Sequence, residues 1–240
     1  MMTTGQQQKL EQMLEGKNLP LDLKSEILDH MTEQAIYKTE IEKKSFEVTL
    51  QEISHSWKAE LRWSWWPFVN RRTVFERKIT NRTDWAIIKK SLFYWALYTI
   101  LSSGLIFYNI DFANHIIFIV HLLAVSVFAL YLLIEFGLTK TILNNLRKKR
   151  ISFMQVGAYS FYMASSAILV LILLDVDSKF EKYVVALNTL AELQPFSQVE
   201  IGSIGIYWYC DFWWIFGYLY FLQYRKAVRF LQNKIHVQLY

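Results

Sequence analysis

The chain has 240 residues, of which 53% are hydrophobic and 17% aromatic, with only 8 Gly and 3 Pro. This composition excludes a disordered chain and argues against an all-β protein. Charge is segregated, since residues 1–61 carry 7 Lys/Arg against 11 Asp/Glu while residues 62–90 carry 8 against 2. The net charge of +5 therefore combines an acidic first segment, a basic second segment and a long apolar remainder.

Residues 1–61 are predicted to form a cytosolic module of three short helices, which we call the head. The first helix covers about residues 5–16 and ends near Gly16, a residue typical of helix C-termini. The second begins at Pro20, and the third begins after Ser45, a good N-cap residue. Apolar residues recur at helical spacing on the second and third helices, which predicts a small shared core. Such a small core supplies little stability on its own, so we expect the head to dock on another surface.

The second helix raises the first question of chemistry. Within LKSEILDHMTEQ, residues 23–34, the side chains of Glu26, Asp29, His30 and Glu33 share one face at spacings of three and four. Such a face suits a metal site, an acid/base site or a solvated surface. One imidazole among three mutually repelling carboxylates is a weak metal site. We therefore predict a solvated face that binds a protein partner, with no metal and no cofactor.

A family resemblance rests on two short motifs in the head. The pattern EILDHMTEQ, a spacer, then SFEVTLQEI resembles the HAAS signalling domain, a small cytosolic helical module of bacterial membrane proteins. The resemblance covers about residues 18–61. It implies a cytosolic regulatory module on a multispanning anchor in the bacterial inner membrane, and it implies no catalytic residues.

Residues 62–90 form a collar in which aromatic and basic side chains alternate. This mixture beside an apolar segment is typical of the membrane interface, although nucleic-acid surfaces use the same residue types. Its position favours membrane lipid over nucleic acid, and LRKKR at 146–150 is interpreted in the same way. The predicted lipid-interface residues are Trp63, Trp65, Trp66, Arg71, Arg72, Arg147, Lys148, Lys149 and Arg150.

Four later segments are long and apolar enough to cross a bilayer, which takes about 20 residues. They cover about residues 91–109, 116–137, 152–174 and 203–224, and residues 225–240 form a tail. The flanking segments alternate between basic and non-basic, which predicts that both termini lie in the cytosol. The sequence thus predicts an all-α integral membrane protein with a four-helix transmembrane bundle. In the connection 175–202, helical spacing of apolar residues predicts a short surface helix.

Two ionisable residues lie inside these segments. Asp211 is about seven residues from the outer end of the fourth, and His121 is about six from the outer end of the second. Polar groups at this depth are costly and usually face a partner or a cavity. We predict an Asp211–His121 contact that forms a ligand or ion site, with Tyr207 nearby. The alternative is that tyrosines and water satisfy Asp211, while His121 is an ordinary buried hydrogen-bonding residue.

The motifs of common enzyme classes are missing from the sequence. It contains no H-E-x-x-H, no G-x-S-x-G, no P-loop and no dinucleotide fingerprint. The favoured expectation is a non-enzymatic membrane anchor or regulator whose head binds a protein partner. The alternative is a transport subunit or membrane enzyme that binds a small ligand, lipid or ion at the polar site. A cavity open to the outer face and lined by Asp211, His121 and tyrosines would favour the alternative, whereas a sealed bundle with an exposed apolar face on residues 20–61 would favour the anchor.

Overall fold

The computed structural model describes residues 2–17, 19–64, 72–144, 151–174, 185, 189 and 198–235, and most of them are helical. The all-α prediction is therefore confirmed. The helices are α1 Thr4–Leu14, α2 Leu21–Ile36, α3 Phe46–Lys58, α4 Val74–Tyr108, α5 Ile110–Ile134, α6 Phe136–Asn144, α7 Gln155–Leu174 and α8 Gln198–Ile235. A π-helical turn, Tyr37–Ile41, follows α2 directly. Strands β1 Trp63–Ser64 and β2 Arg72–Thr73 pair antiparallel, with Trp63 opposite Thr73.

The chain divides into two compact units. The first comprises the described parts of residues 1–84, 145–153 and 226–238, and the second comprises those of residues 85–144 and 154–225. The head lies in the first unit. We call the second unit the bundle.

The head has its own hydrophobic core. Buried side chains from α1, α2 and α3 form one cluster, together with Leu61 just beyond α3. Local signals set the helix ends: Gly16 has a φ of 75° after α1, and the Ser45 side chain accepts a hydrogen bond from the Val48 backbone. Pro20 lies one position before its expected place in the first turn, because it occupies the N-cap of α2. The cluster consists of Leu10, Leu14, Ile27, Met31, Ala35, Ile53 and Leu61.

The N-terminus of α2 is held by a distant segment of the same unit. The Asp22 backbone N–H donates to the Ile151 carbonyl at 3.1 Å. The Asp22 carboxylate accepts hydrogen bonds from the Ser152 side chain and from the Leu23 and Phe153 backbones. Burial outweighs these bonds and raises the pKa of Asp22 to about 6.

The second predicted span differs from expectation at both ends. Helix α5 begins at Ile110, and Asn109 is the one residue between it and α4. The Asn109 side chain caps α5, because it accepts a hydrogen bond from the Phe112 N–H at 2.9 Å. The helix ends at Ile134, since Glu135 leaves helical geometry with φ −111° and ψ 39°. The predicted continuous span over 116–137 is therefore interrupted at Glu135.

Glu135 pairs with a residue that the sequence did not suggest. Its carboxylate accepts hydrogen bonds from Arg225 on α8, with Nε at 2.7 Å and Nη2 at 2.6 Å from Oε1. The Arg225 guanidinium also lies 5.7 Å from the centre of the Tyr131 ring. This contact joins the C-terminal end of α5 to α8.

Helices α7 and α8 approach closely at two glycines. A Cβ on Gly217 would overlap the backbone of Phe161, and one on Gly157 would overlap the Tyr220 ring. The lack of a side chain at Gly157 thus allows this close contact between the two helices. The apolar positions predicted to form a helix in the connection 175–202, namely Phe180, Val184, Leu187 and Leu190, lie outside the described residues.

Two helices of the bundle contain segments long and apolar enough to cross a membrane, His115–Ile134 in α5 and Gln155–Leu173 in α7. They correspond to the second and third predicted spans. The first and fourth predicted spans lie in α4 and α8, and the described residues of these helices contain no such segment. Asp211 and many tyrosines and tryptophans make α8 less apolar.

The Asp22 contact predicts a pH dependence for the head. Folding raises the Asp22 pKa from 3.8 to about 6, so the folded head is stabilised when Asp22 is protonated. This stabilisation is complete below about pH 4 and is lost as the pH rises through about 6. The full effect is at most about 3 kcal/mol. Hydrogen exchange of α2 in the full-length protein, corrected for the intrinsic pH dependence of exchange, measures it. Asp22→Asn keeps a hydrogen-bond acceptor but does not titrate, so it should remove the change. If the corrected exchange of α2 depends on pH equally in wild type and in Asp22→Asn, this assignment is contradicted.

Candidate functional site

A buried histidine and a buried aspartate meet inside the bundle. His121 lies on α5 and Asp211 on α8, and only 5% and 7% of these residues are exposed. The His121 Nε2 lies 2.9 Å from Asp211 Oδ1. The predicted contact between the two residues is confirmed.

The geometry fixes how many protons the pair holds. His121 Nδ1 lies 2.9 Å from the Ile117 carbonyl oxygen, which can only accept, so Nδ1 carries a hydrogen. The contact between Nε2 and Oδ1 needs a second proton, because both atoms are otherwise acceptors. The pair is therefore either imidazolium with carboxylate or imidazole with carboxylic acid. Both states have no net charge.

A cavity of about 190 Å³ adjoins the pair. Its walls come from α4, α5, α7 and α8, so it forms only when all four long helices of the bundle assemble. Apart from the pair, the walls are aliphatic or aromatic. The lining residues are Tyr98, Val120, His121, Ala124, Ile168, Asp211, Trp214 and Ile215.

Asp211 and Trp214 each carry a buried polar atom beside the cavity. The acceptor Asp211 Oδ2 and the donor Trp214 Nε1 find no hydrogen-bond partner among the described residues. Leaving such a group unpaired costs about 1–3 kcal/mol, and more for a charged group. Both atoms are buried within the wall and are not open to the cavity.

Aromatic side chains surround the pair and hold α4 against α8. Tyr98 and Tyr207 make edge contacts with the His121 ring, at centroid distances of 6.5 and 6.0 Å. Trp95 on α4 donates from Nε1 to the Trp208 carbonyl of α8 at 3.1 Å. Tyr207, predicted as part of the site, is therefore beside His121, although it does not line the cavity.

The acidic face of α2 is exposed in the structure. Glu26, Asp29, His30 and Glu33 all lie at the surface, with His30 Nδ1 at 3.7 Å from a Glu33 carboxylate oxygen. Within the part of the chain that is described, no group of three or more His, Cys, Asp or Glu side chains is placed to hold a metal ion. A role for this face in partner binding remains a prediction.

Most of the predicted lipid-interface residues lie outside the described part of the chain: Trp65, Trp66, Arg71, Arg147, Lys148, Lys149 and Arg150. Of the two that are described, Trp63 is 37% exposed. Arg72 lies with its Nε 3.6 Å from the carboxylate of Glu76, which is almost completely buried. This contact gives Arg72 a structural role in the first unit, separate from any contact with lipid.

Sequence reasoning missed the other walls of the cavity. Trp214 follows Asp211 by three residues and Ala124 follows His121 by three, so each lies on the same helix face as a member of the pair. Listing the i+3 neighbours of both buried ionisable residues would have found them. Tyr98 and Ile168 had no comparable signal, because their positions depend on how α4 and α7 pack.

Comparisons with known proteins identify no relative: no protein-family model, no curated protein and no solved structure matches the chain. The functional interpretation therefore depends on the geometry of the site.

The pair should show strong coupling in a double-mutant cycle. His121→Ala or Asp211→Ala leaves the other group buried without its partner, which costs about 3–5 kcal/mol in comparable buried pairs. We expect the double variant to lose clearly less than the sum of the two losses. Thermal unfolding in detergent measures the effect. Ser126→Ala is the control on α5, because its exposed hydroxyl bonds only to the Leu122 carbonyl in the same helix. Additive losses would contradict a shared-proton contact.

Proposed function

We propose that this chain is a multi-pass membrane protein whose helical bundle binds a small ligand in the cavity beside His121 and Asp211. The observation that carries the proposal is the cavity itself, which adjoins a buried carboxylate with an unpartnered oxygen. Sequence reasoning favoured an anchor with a partner-binding head. The cavity beside the pair supports the ligand-binding alternative, and the exposed apolar side chains of the head support a second function, described below.

The outer surfaces of α4 and α8 support two spans beyond those in α5 and α7. On α4, Phe93 is 65% exposed and Ile100 is 69% exposed, and on α8 Ile206 is 53% exposed. Exposed apolar side chains along a long helix suit lipid better than water. We therefore propose four spans, with both termini in the cytosol at the bacterial inner membrane and membrane lipid around the bundle.

The directions of α5 and α8 support the same arrangement. Residue 121 pairs with 211, and residue 135 pairs with 225, so both partners advance 14 residues along their helices. The two helices therefore run parallel, with the two contacts about 21 Å apart at 1.5 Å per residue. A second and a fourth span cross the membrane in the same direction, so parallel helices are required.

Cysteine accessibility tests the four-span proposal. In a Cys210→Ser background, Tyr108→Cys at the end of α4 should react with a membrane-impermeant maleimide in intact spheroplasts. Gln7→Cys in the head and Asn233→Cys in α8 should react only after permeabilisation. If only α5 and α7 cross the membrane, Tyr108→Cys lies on the same side as Gln7→Cys. Protection of Tyr108→Cys together with Gln7→Cys would therefore overturn the four-span arrangement.

Energetics support a binding role for the cavity. Aliphatic side chains and the Trp214 ring line most of the cavity, so a small apolar molecule that enters it removes its surface from water or lipid headgroups. Because a cavity of about 150 Å³ accommodates benzene in another protein, the space here suits one small ring. We propose no cofactor and no reaction for the site.

Benzene is a direct probe of the cavity. With fluorotryptophan incorporated, the ¹⁹F resonance of Trp214, assigned by its loss in Trp214→Phe, should shift when benzene is added. Ala124→Leu fills the cavity and should abolish the shift. Ala129→Leu is the matched control, because Ala129 is exposed on the same helix and does not line the cavity. An equal shift in wild type and Ala124→Leu would mean that benzene does not enter, and the proposal would fail.

A second proposed function concerns the head. Apolar side chains are exposed around the π-helical turn: Ile36, Tyr37 and Ile41 on the turn and the end of α2, and Val48 on α3. Beside them, the acidic face of α2 is also exposed. We propose that the head binds a protein partner, as its resemblance to the HAAS signalling domain implies for a regulatory module. Nucleic acid is a poor partner for this acidic segment.

Co-purification from mild detergent tests the docking role. In the full-length protein, Ile41→Asp places a charge among the exposed apolar side chains and should remove any protein that binds there. Ser54→Asp adds the same charge at another exposed position of the head and should retain it. If the two variants retain the same proteins as wild type, these side chains do not form the docking surface.

A further inference from the structure

We propose that the head of one copy binds α4 of a second copy of this chain, through two exposed stripes of opposite charge. This inference rests on the second proposed function, because it names the protein partner of the head. The α2 stripe consists of Asp29, Glu33 and Ile36, and the α4 stripe consists of Lys78, Arg82 and Trp85.

The two stripes have the same spacing along their helices. In each of them, the second residue follows the first by four positions and the third follows the second by three. Residues at these intervals share one face of an α-helix, so each stripe is a continuous surface of about two turns. The order acidic, acidic, apolar on α2 therefore matches the order basic, basic, apolar on α4, position by position.

Both stripes are open to a partner. The charged side chains of both are exposed, and so are the apolar members, Ile36 by 36% and Trp85 by 63%. Lys78 and Arg82 lie in the same unit as the head, yet neither forms an ion pair with any residue that the structure describes. The complementary charges of α2 and α4 are therefore not paired with each other within one copy.

Charge decides which kind of partner fits the α2 stripe. Helix α2 carries four Asp or Glu residues and only one basic residue, Lys24. The two lysines that follow the helix, Lys38 and Lys44, both donate to Glu52. The α2 stripe therefore repels anionic lipid and nucleic acid and requires a basic partner with an apolar side chain. A second copy supplies this chemistry on α4, where basic side chains precede an exposed tryptophan.

The matched spacing also sets the direction of the contact. With α2 and α4 parallel, both carboxylates face cations and Ile36 faces Trp85. With the helices antiparallel, Ile36 would face Lys78 and Asp29 would face Trp85, so one charge on each stripe would lose its counterpart. The parallel arrangement is therefore the one we propose. Because each copy carries one stripe of each kind, two copies can form the contact twice.

Charge reversal in the full-length protein tests this contact. Asp29→Lys with Glu33→Lys reverses the α2 stripe, and Lys78→Glu with Arg82→Glu reverses the α4 stripe. Wild type should self-associate in mild detergent, more strongly at low salt than at high salt. Each reversed variant alone should self-associate at least about tenfold more weakly, because like charges then face each other in every contact. Sedimentation equilibrium measures these association constants.

A mixture of the two reversed variants is the decisive measurement. One copy then carries two basic stripes and the other carries two acidic stripes, so every contact again joins opposite charges. Co-purification through two different tags should show association near the wild-type level, and this recovery would also show that both variants are folded.

The matched control is Glu15→Lys with Glu47→Lys, which makes the same change of charge at exposed positions of the head outside the α2 stripe. Alone, it should associate like wild type. Mixed with the variant reversed on α4, it can form only one of the two contacts, so it should associate more weakly than the variant reversed on α2 does. This comparison separates the stripes from the overall charge of the protein.

The outcomes separate this inference from the docking role of the head. A monomeric wild type, equal association of wild type and the reversed variants, or a mixture that does not recover would each overturn the second copy as the partner. The docking role would survive any of these results if Ile41→Asp, but not Ser54→Asp, still removes a different protein from the full-length chain. If Ile41→Asp also removes none, both the second copy and the docking role fail.

Discussion

A single shared proton holds the centre of the bundle together. Without it, His121 Nε2 and Asp211 Oδ1 are two acceptors at 2.9 Å and repel each other. With it, α5 and α8 are fixed in one register, and the cavity walls from α4 and α7 close around the contact. The ion pair between Glu135 and Arg225 fixes the same two helices four turns further on. Because the two polar contacts share one register, sliding of one helix along the other would break both of them, which makes it costly.

The shared proton also leaves the pair without net charge. In either protonation state, each member of the pair balances the other. What the cavity presents to a ligand is therefore mainly aliphatic and aromatic wall. In the proposed function, recognition then depends on the shape and the apolar surface of the molecule.

Much of the architecture was predictable from local patterns. Helical periodicity and cap residues located α1, α2 and α3 to within a few residues, because amphipathic spacing and capping are local properties. The His121–Asp211 contact followed from depth alone, since two isolated ionisable residues at similar depth lower their cost by meeting. The membrane-compatible character of α5 and α7 also followed from composition.

Other features depend on packing between distant elements, and no local signal defined them. The break at Glu135 was missed because apolar residues lie on both sides of it, and its partner Arg225 lies 90 positions away. In the sequence, His121 and Glu135 are separated by 14 residues, as are Asp211 and Arg225. This equal spacing predicts two contacts only once α5 and α8 are known to be adjacent. The contribution of Tyr98 to the cavity likewise requires the position of α4.

The junction at Asn109 has a consequence for how the proposed membrane protein is made. Because one residue joins α4 to α5, the two helices cannot separate far, and neither can enter the bilayer long before the other. At this turn the Asn109 side chain accepts a hydrogen bond from the Phe112 N–H, so this backbone group does not need a hydrogen bond to water. In the proposed four-span arrangement, we therefore expect the less apolar α4 to enter the membrane together with its neighbour α5.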